Sequence, residues 1–356
     1  MKKLVIISAI PMLLFTGAWN SLFAQDVHFT QTNMIPVQLN PALTGISEGT
    51  HRIFLNYKNQ WRGMAAQGAA FNTSLFSYDA ALFKNKWHRG WLGAGLLGYK
   101  DVAGDLKMGT TQLSISIAGI VYINEEQFIS GGLQGGYVQK SLSTSAMLWG
   151  SQIDQSTGTF NTALPSNDVA TITPSIYGNL STGLSWNYIA DPSTLSANDE
   201  LKINIGIAAH NVSTPKQNFN AYGSDNLYRK FVIHGTSIIG IRNSNLALMP
   251  NAAFYMQGPS QELNVGALVR WTIKDKSRYT NVHKGAAFAL GAQYRWRDAL
   301  CPVMLIEYSN YAIGISYDLN ASGLAAATGG KGGVEFSLKF VTPIALSSSI
   351  LRVRDE

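Results

Sequence analysis

The C-terminal part of the chain, from residue 284 to residue 340, alternates between apolar residues and small, polar or charged residues. In its first run, every second position is apolar and the run ends in aromatic residues: Phe288, Leu290, Ala292, Tyr294 and Trp296. The same rhythm returns over residues 311–318 and 334–340. Because successive side chains of a strand point to opposite faces, a period of two predicts β-strands with one apolar and one polar face.

Similar runs follow one another along the chain, and they predict about fourteen strands. Their ranges are 51–57, 69–78, 91–99, 110–123, 127–140, 174–187, 200–209, 230–241, 246–257, 262–273, 286–295, 301–308, 311–318 and 333–340. In the run 262–273, Leu268 breaks the pattern, since it lies on the otherwise polar face. Many of these runs reach about ten residues, which is the length that a tilted strand needs to cross a membrane.

Two architectures bury such strands differently. A soluble sandwich packs the apolar faces together, whereas a membrane barrel turns them towards lipid and encloses the polar faces. Only 13% of the residues are charged, about half the share of a typical soluble domain, and the chain has 34 glycines and 11% aromatic residues. This composition favours an all-β transmembrane antiparallel barrel of about fourteen strands, similar in strand number to fatty-acid channels. A large soluble all-β protein is the alternative.

The order of segments predicts an exported protein. Residues 1–24 resemble a secretory signal, with Lys2 and Lys3 before an apolar run and Ala24 before the expected cleavage position. Residues 25–50 lack the strand rhythm and contain Pro36, Asn40 and Pro41, which predicts a plug in the lumen or a strap across the surface; a flexible leader is the alternative. The barrel is expected over residues 51–340, and a tail over 341–356.

An even number of antiparallel strands places both ends of a barrel on one side, which in bacterial outer membranes is the periplasm. The long connections 141–173, 210–229 and 319–332 then face outward. We expect the aromatic and methionine side chains of these connections to anchor a partner, because such residues carry much of the binding energy at interfaces. These candidates are Met147, Trp149, Phe160, Phe219, Tyr222 and Tyr228.

Charged residues on the predicted lumen side concentrate in the last five strands. They are Arg270, Arg295, Arg297, Glu307, Asp318, Glu335 and Lys339. They would line a pore or hold a plug, or they would neutralise one another within a filled lumen; we favour the last interpretation.

The motifs that could indicate a catalytic, cofactor or metal site give weak signals in this sequence. The GxGxxG pattern of residues 93–98 lacks the helix that a dinucleotide site needs, and glycines facing a crowded lumen explain it better. The six histidines do not pair at ligand spacing, Cys301 is the only cysteine, and His210 with Ser213 forms no nucleophile motif. We therefore expect no enzyme activity, no cofactor and no metal site. The basic residues form no run, so no nucleic-acid partner is expected.

Several blocks resemble the PorP/SprF family in order along the mature chain. The opening blocks are residues 36–45, PVQLNPALTG, and 56–61, NYKNQW. The closing blocks are residues 294–299, YRWRDA, 314–320, GISYDLN, and 332–338, GGVEFSL, together with the run 317–324. The middle strands match only in character, and the tail after Phe340 departs from a barrel that ends on its last strand.

The resemblance implies an outer-membrane barrel of the type IX secretion and gliding-motility system. Its implied partners are membrane lipid, a secreted adhesin that binds through its C-terminal sorting domain, and periplasmic secretion or motility components. Two other functions stay open at this point. One is a channel for a small hydrophobic solute, and the other is a soluble exported enzyme.

Overall fold

A computed structural model describes residues 29–60, 70–84, 86–87, 89–104, 106–143, 147, 149–166, 174–190, 198–220, 223–274, 284–323, 325 and 329–342. Fourteen strands of this part close into an antiparallel barrel, and two more form a separate hairpin. The strands are β1 His51–Gln60, β2 Phe71–Leu82, β3 Gly90–Ala103, β4 Met108–Tyr122, β5 Gln127–Ser141, β6 Ser175–Ala190, β7 Leu201–His210, β8 Lys216–Asn220, β9 Gly223–Asn226, β10 Lys230–Gly240, β11 Leu246–Gln257, β12 Ser260–Lys274, β13 Ala286–Arg295, β14 Ala299–Tyr308, β15 Tyr311–Asn320 and β16 Lys331–Val341.

Each barrel strand pairs with its neighbours in the chain, and β1 closes the ring by pairing with β16. The hairpin β8–β9 is inserted between β7 and β10, which pair directly with each other. All fourteen predicted strands correspond to barrel strands, so the predicted fold class is confirmed. The hairpin lies in a connection for which the alternation predicted no strand.

The apolar faces point away from the enclosed interior. On β4, the side chains of Leu113, Ile115 and Ile117 are 64%, 64% and 59% exposed, whereas Ser114 and Ser116 are buried. A soluble sandwich would show the opposite distribution, because its apolar side chains leave water on folding. The burial pattern is therefore that of a barrel whose outer surface contacts lipid.

The two ends of the barrel differ in the length of their connections. We call the end at which β1 begins and β16 ends the proximal end, and the opposite end the distal end. The distal end carries the longest connection, residues 142–174, and the connection 211–229 that contains the hairpin. The proximal connections include the tight turns 123–126, 241–245 and 309–310.

Residues 29–50, which we call the plug segment, lie inside the barrel. The segment contains two short 3-10 turns, Thr32–Met34 and Pro41–Leu43, around the one-turn helix α1, Pro36–Leu39. Proline begins two of these three turns, where its missing N–H costs no hydrogen bond. Within the described residues, no helix has the length and apolar character to cross a membrane.

Apolar side chains of the plug segment enter buried clusters around the barrel wall. Met34 belongs to a cluster with Phe54, Leu268 and other residues of β13 to β15. This contact explains why Leu268 breaks the alternation of β12: it faces the lumen and packs beside the plug segment. The interior is therefore a packed core rather than a water-filled bore along this part of its length. Residues 1–28 and 343–356 lie outside the described part of the chain.

Candidate functional site

Asn40 ties the middle of the plug segment to the barrel wall. Its side chain is fully buried, and its Oδ1 accepts a hydrogen bond from the backbone N–H of Ala42 at 2.8 Å. Its Nδ2 lies 3.1 Å from the carbonyl oxygen of Leu184, 3.2 Å from that of Ile207 and 3.0 Å from His234 Nε2. One amide therefore caps a turn of the segment and links it to β6, β7 and β10.

Pro36 and Pro41, the other two residues predicted for a plug, are also buried. Opposite Pro41, the barrel wall carries Gly132 of β5. A Cβ at this position would collide with the Pro41 backbone. Likewise, a Cβ on Gly93 would collide with the carbonyl of Thr44. Glycine is required at these positions because backbone approaches backbone closely.

The GxGxxG pattern lies entirely within β3, and no helix follows it. Gly93 and Gly95 face the plug segment, where Thr44 contacts both positions. Gly98 is different, since its neighbour Leu97 faces the lumen and Gly98 therefore points outward. The crowded lumen thus explains two of the three glycines.

A buried charge network holds the start of the plug segment, and we call it the distal ionic cluster. The ammonium of Lys58 lies 3.0 Å from Asp318 Oδ2 and 3.8 Å from Glu335 Oε2, and all three side chains are nearly inaccessible. Arg295 approaches the same Asp318 oxygen at 2.6 Å. Lys58 and Arg295 therefore compensate the buried carboxylates of Asp318 and Glu335, which is the condition for keeping such charges buried, and Arg295 also pairs with the half-buried Asp298 at 2.7 Å.

The plug segment completes this cluster. The backbone N–H groups of Thr30 and Gln31 donate to the Glu335 carboxylate at 2.7 and 3.1 Å. The Thr30 hydroxyl donates to Asp318 at 2.9 Å. Hydrogen bonds to a charged acceptor are stronger than neutral ones, so Glu335 fixes the position of residues 30 and 31.

A second ionic contact holds the other end of the plug segment. The Arg52 guanidinium forms a bidentate pair with Asp79, at 3.0 and 2.9 Å. Arg52 also donates to the carbonyl oxygens of Leu43 and Ile46, and Asp79 accepts from the backbone N–H of Gly45 at 2.7 Å. The chain is thereby fixed just before it enters β1.

Lys84, in the proximal turn after β2, adds a further contact with the plug segment. It donates to the carbonyl oxygen of Ser47 at 2.7 Å and lies 5.0 Å from the centre of the Trp91 ring. Burial lowers the pKa of Lys84, while nearby Glu48 acts in the opposite direction.

The seven charges predicted for the lumen separate into three groups. Arg295, Asp318 and Glu335 belong to the distal ionic cluster. Arg270 and Glu307 form a half-buried pair at 2.6 Å nearer the proximal end, where Lys339 is also half-buried. Arg297 is a correction: β13 ends at Arg295, so the alternation stops there, and Arg297 lies exposed in the following turn with φ of +61°.

Lys58, Arg52 and Asp79 were not among the charges predicted for the lumen. Arg52 and Lys58 alternate with the outward-facing Ile53, Leu55 and Tyr57, so the period of two already placed them on the lumen face. The predicted first strand ended at residue 57, one residue before Lys58. Asp79 lay beyond the predicted end of the second strand.

Those candidate anchors that the structure describes lie at the distal end. Phe160 and Tyr228 are 52% and 63% exposed, whereas Met147 and Trp149 are half-buried. Phe219 belongs to β8, but its side chain lies outside the described part of the chain, as does the whole of Tyr222. The hairpin of β8 is tied to the barrel rim by Lys140, which donates to Gln217 at 3.0 Å.

The connection 142–174 is internally braced in its described residues. Ile153 and Phe160 form an isolated β-bridge, and Gln152 donates to the carbonyl oxygen of Leu164 at 3.1 Å. Asp154 accepts hydrogen bonds from the side chain and backbone of Ser156, and the side-chain bond above all lowers the pKa of this carboxyl. Phe160 is thus presented to solvent from a folded turn.

Comparison with known proteins decides the family. Residues 21–340 match the family described as Type IX secretion system membrane protein PorP/SprF. The chain belongs to the PorP/SprF family. This family and the barrel fold are those of a secretion-system membrane protein. No curated protein matched the sequence.

Solved outer-membrane barrels resemble the PorP/SprF chain only distantly. CdiB from Acinetobacter baumannii is 6% identical with a TM-score of 0.40, and the match covers 82% of this chain and 60% of CdiB. The TodX deltaS2S3 mutant monoaromatic hydrocarbon channel is 8% identical with a TM-score of 0.40, over 85% and 93%. The translocator domain of autotransporter NalP from Neisseria meningitidis is 10% identical with a TM-score of 0.34, over 88% and 96%.

Proposed function

We propose that this PorP/SprF protein is a non-enzymatic docking component that holds a secreted adhesin at the cell surface. The adhesin would bind through its C-terminal sorting domain, as the family resemblance implies. The proposal is supported by two observations: the plug segment packs against the inner wall of the barrel, and the longest connections lie at one end. A filled barrel is suited to display a surface rather than to conduct.

The distal end would face outward, because outer-membrane barrels place their longer loops outside the cell and their shorter turns in the periplasm. This orientation presents Phe160 and Tyr228 to the extracellular space. Exposed aromatic side chains supply contact area at low entropic cost and are frequent anchors of interfaces. Trp149 and Met147 would extend the same docking surface. The proximal end would then face the periplasmic secretion and motility components.

Deletion of residues 143–167 tests the docking surface. We expect surface retention of the adhesin to fall while the barrel remains in the outer membrane, since the deleted residues belong to a connection and to no barrel strand. Retention is measured with an antibody against the adhesin on intact cells, and barrel assembly by heat-modified migration of the protein on gels.

Deletion of residues 191–197 in a proximal connection is the matched control, and it should leave retention unchanged. The single variants Phe160→Ala and Tyr228→Ala should each reduce retention if aromatic anchoring is correct. Unchanged retention after the distal deletion would contradict the docking proposal.

A channel for a small hydrophobic solute would need an open or gated path through the barrel. The plug segment is fixed at both ends by ionic contacts and packs against the wall between them. We therefore expect no solute-dependent uptake and no stable conductance when the purified protein is placed in liposomes.

A further inference from the structure

A cavity of about 230 Å³ lies in the proximal half of the barrel, between the plug segment and the wall. Met34 of the plug segment lines this cavity, together with the apolar side chains of Met249, Leu268 and Leu305. The cavity is partly open to solvent. Because a cavity of about 150 Å³ already holds benzene, this one has room for an aromatic ring system with a short polar head.

Two opposite charges line the cavity on either side of a small residue. Glu307 of β14 pairs in register with Ala312 of β15, and Ala312 pairs in register with Lys339 of β16. Since neighbouring strands are about 4.8 Å apart, the Cα atoms of Glu307 and Lys339 are separated by roughly 10 Å. Glu307 Oε2 pairs with Arg270 at 2.6 Å, whereas Lys339 has no carboxylate partner among the residues that the structure describes. We call Glu307, Ala312 and Lys339 the charged row.

The balance of charge around the cavity favours a ligand without net charge. The ion pairs beside Lys339 combine three carboxylates with two cations, namely Glu48, Glu200 and Glu307 with Lys202 and Arg270. Lys339 is the third cation, so this group of charges is neutral. A ligand with one charge of each sign preserves the neutrality, whereas an anion or a cation would leave an uncompensated charge in a half-buried site. The charged row therefore suits the ammonium and the carboxylate of a zwitterion.

A hydrogen-bond acceptor without a donor lies on the other side of the apolar lining. Asn251 of β11 lines the cavity and is 8% exposed, and within the described residues its Oδ1 accepts no hydrogen bond. The strand order of the barrel places Leu268 of β12 between Asn251 and the charged row on β14 to β16. A buried amide oxygen without a donor costs free energy. The cavity therefore suits a ligand with a zwitterionic head, an apolar middle and an N–H or O–H donor at its other end.

We propose that this cavity binds an aromatic α-amino acid whose ring carries an N–H or O–H donor, as in tryptophan or tyrosine. The ligand carboxylate pairs with Lys339, and its ammonium donates to Glu307. The ring packs among the apolar side chains of the lining, and the ring donor bonds to Asn251 Oδ1. Because Met34 belongs to the plug segment, the ligand contacts the plug segment and the wall together. This site lies in the proximal half of the barrel and is independent of the docking proposal.

Equilibrium dialysis of radiolabelled L-tryptophan with the purified full-length protein in detergent tests the site. We expect saturable one-to-one binding with a Kd below about 1 mM. Two analogues separate the contacts of the head: tryptamine lacks the carboxylate, and indole-3-propionate lacks the ammonium. Each should compete at least about tenfold less well than L-tryptophan, because it leaves one charge of the charged row without its partner.

L-Phenylalanine tests the contact with Asn251, since it has the same zwitterionic head but no donor on its ring. We expect it to bind about tenfold more weakly than L-tryptophan, because Asn251 Oδ1 then stays without a donor. Asn251→Leu should abolish this preference for L-tryptophan over L-phenylalanine. A purely structural role of Asn251 would weaken the binding of both amino acids equally and would leave their ratio unchanged.

Lys339→Met should abolish the preference for L-tryptophan over tryptamine, whereas Lys339→Arg should preserve it because the charge is kept. Lys100→Met, at an exposed position of β3, is the matched control and should leave all the ratios unchanged. Heat-modified migration shows in each case that the variant barrel is folded. Because each ratio compares two ligands on one variant, a modest loss of stability does not alter it.

Absence of saturable L-tryptophan binding by the unmodified protein would overturn the proposal. Equal binding of L-tryptophan and its analogues would also overturn it, because the charged row and Asn251 would then not recognise the ligand. Preferences that survive both Asn251→Leu and Lys339→Met would place the bound amino acid outside this cavity, with the same consequence.

Discussion

At the scale of single residues, a few buried polar side chains fix a segment that has little regular structure of its own. Asn40 makes four contacts with one amide, and Glu335 accepts two backbone N–H groups of the plug segment. A segment of short turns loses much conformational entropy on ordering, so these contacts and the apolar clusters must offset that cost.

Asn40→Ala should destabilise the plug segment by about 2–4 kcal/mol, because it removes the cap of a turn and the three polar contacts of Asn40 Nδ2 with the barrel wall. The measurement is the shift of the urea unfolding midpoint in detergent. Asn33→Ala is the control, since Asn33 is exposed in the same segment and should change the midpoint little. Equal shifts for the two variants would show that Asn40 does not anchor the segment.

Lys58→Met should cost about 3–5 kcal/mol, because the Asp318 and Glu335 carboxylates would lose a cation that they share inside the wall. Replacing both the cation and one carboxylate, in the double variant Lys58→Met with Glu335→Gln, should recover part of the lost unfolding free energy. Lys100→Met, at an exposed position of β3, serves as the surface control. The prediction fails if the double variant loses more unfolding free energy than the two single variants lose together.

At the scale of elements, the barrel strands and the plug segment were predictable to different degrees. Period-two alternation located all fourteen barrel strands, since each strand has one lipid-facing and one enclosed side. The hairpin β8–β9 escaped because its polar residues show no such alternation. The plug segment was recognised only by its prolines and its lack of rhythm, which do not specify where it lies.

Removal of residues 29–45, most of the plug segment, should open a path through the lumen. We expect conductance in planar bilayers that the intact protein lacks, because the segment occupies space between opposite walls of the barrel. Gly93→Val is a milder variant that displaces the segment near Thr44 without shortening the chain. A deletion that folds, by heat-modified migration, yet stays silent would contradict the plug assignment.

At the scale of the whole molecule, the decisive feature is which face of the sheet is outside. Ile117, near the middle of β4, and Ile123, in the proximal turn after it, are 59% and 57% exposed. They therefore differ in depth along the barrel but hardly in exposure.

Ile117→Arg should destabilise the protein in lipid by about 2–4 kcal/mol, and Ile123→Arg by about 0–1 kcal/mol, because the cost of a charge depends on its depth in the bilayer. Unfolding in vesicles measures both variants. Equal costs would mean that the outer surface does not contact hydrocarbon, and a protein that stays monomeric without detergent would lead to the same conclusion.

The sequence alone determined the barrel and its strand number, because the repeat of two along each strand reports directly on two different environments. It also carried the family, through short blocks near both ends of the mature chain. Only the tertiary structure decided that residues 29–50 pack against the inner wall of the barrel and that Lys58 joins Arg295, Asp318 and Glu335. The contacts of Thr30 and Lys58 with Asp318 and Glu335 join residues more than two hundred positions apart, which become neighbours only when β1 closes against β16. Local patterns along the chain do not indicate which side chains this closure brings together.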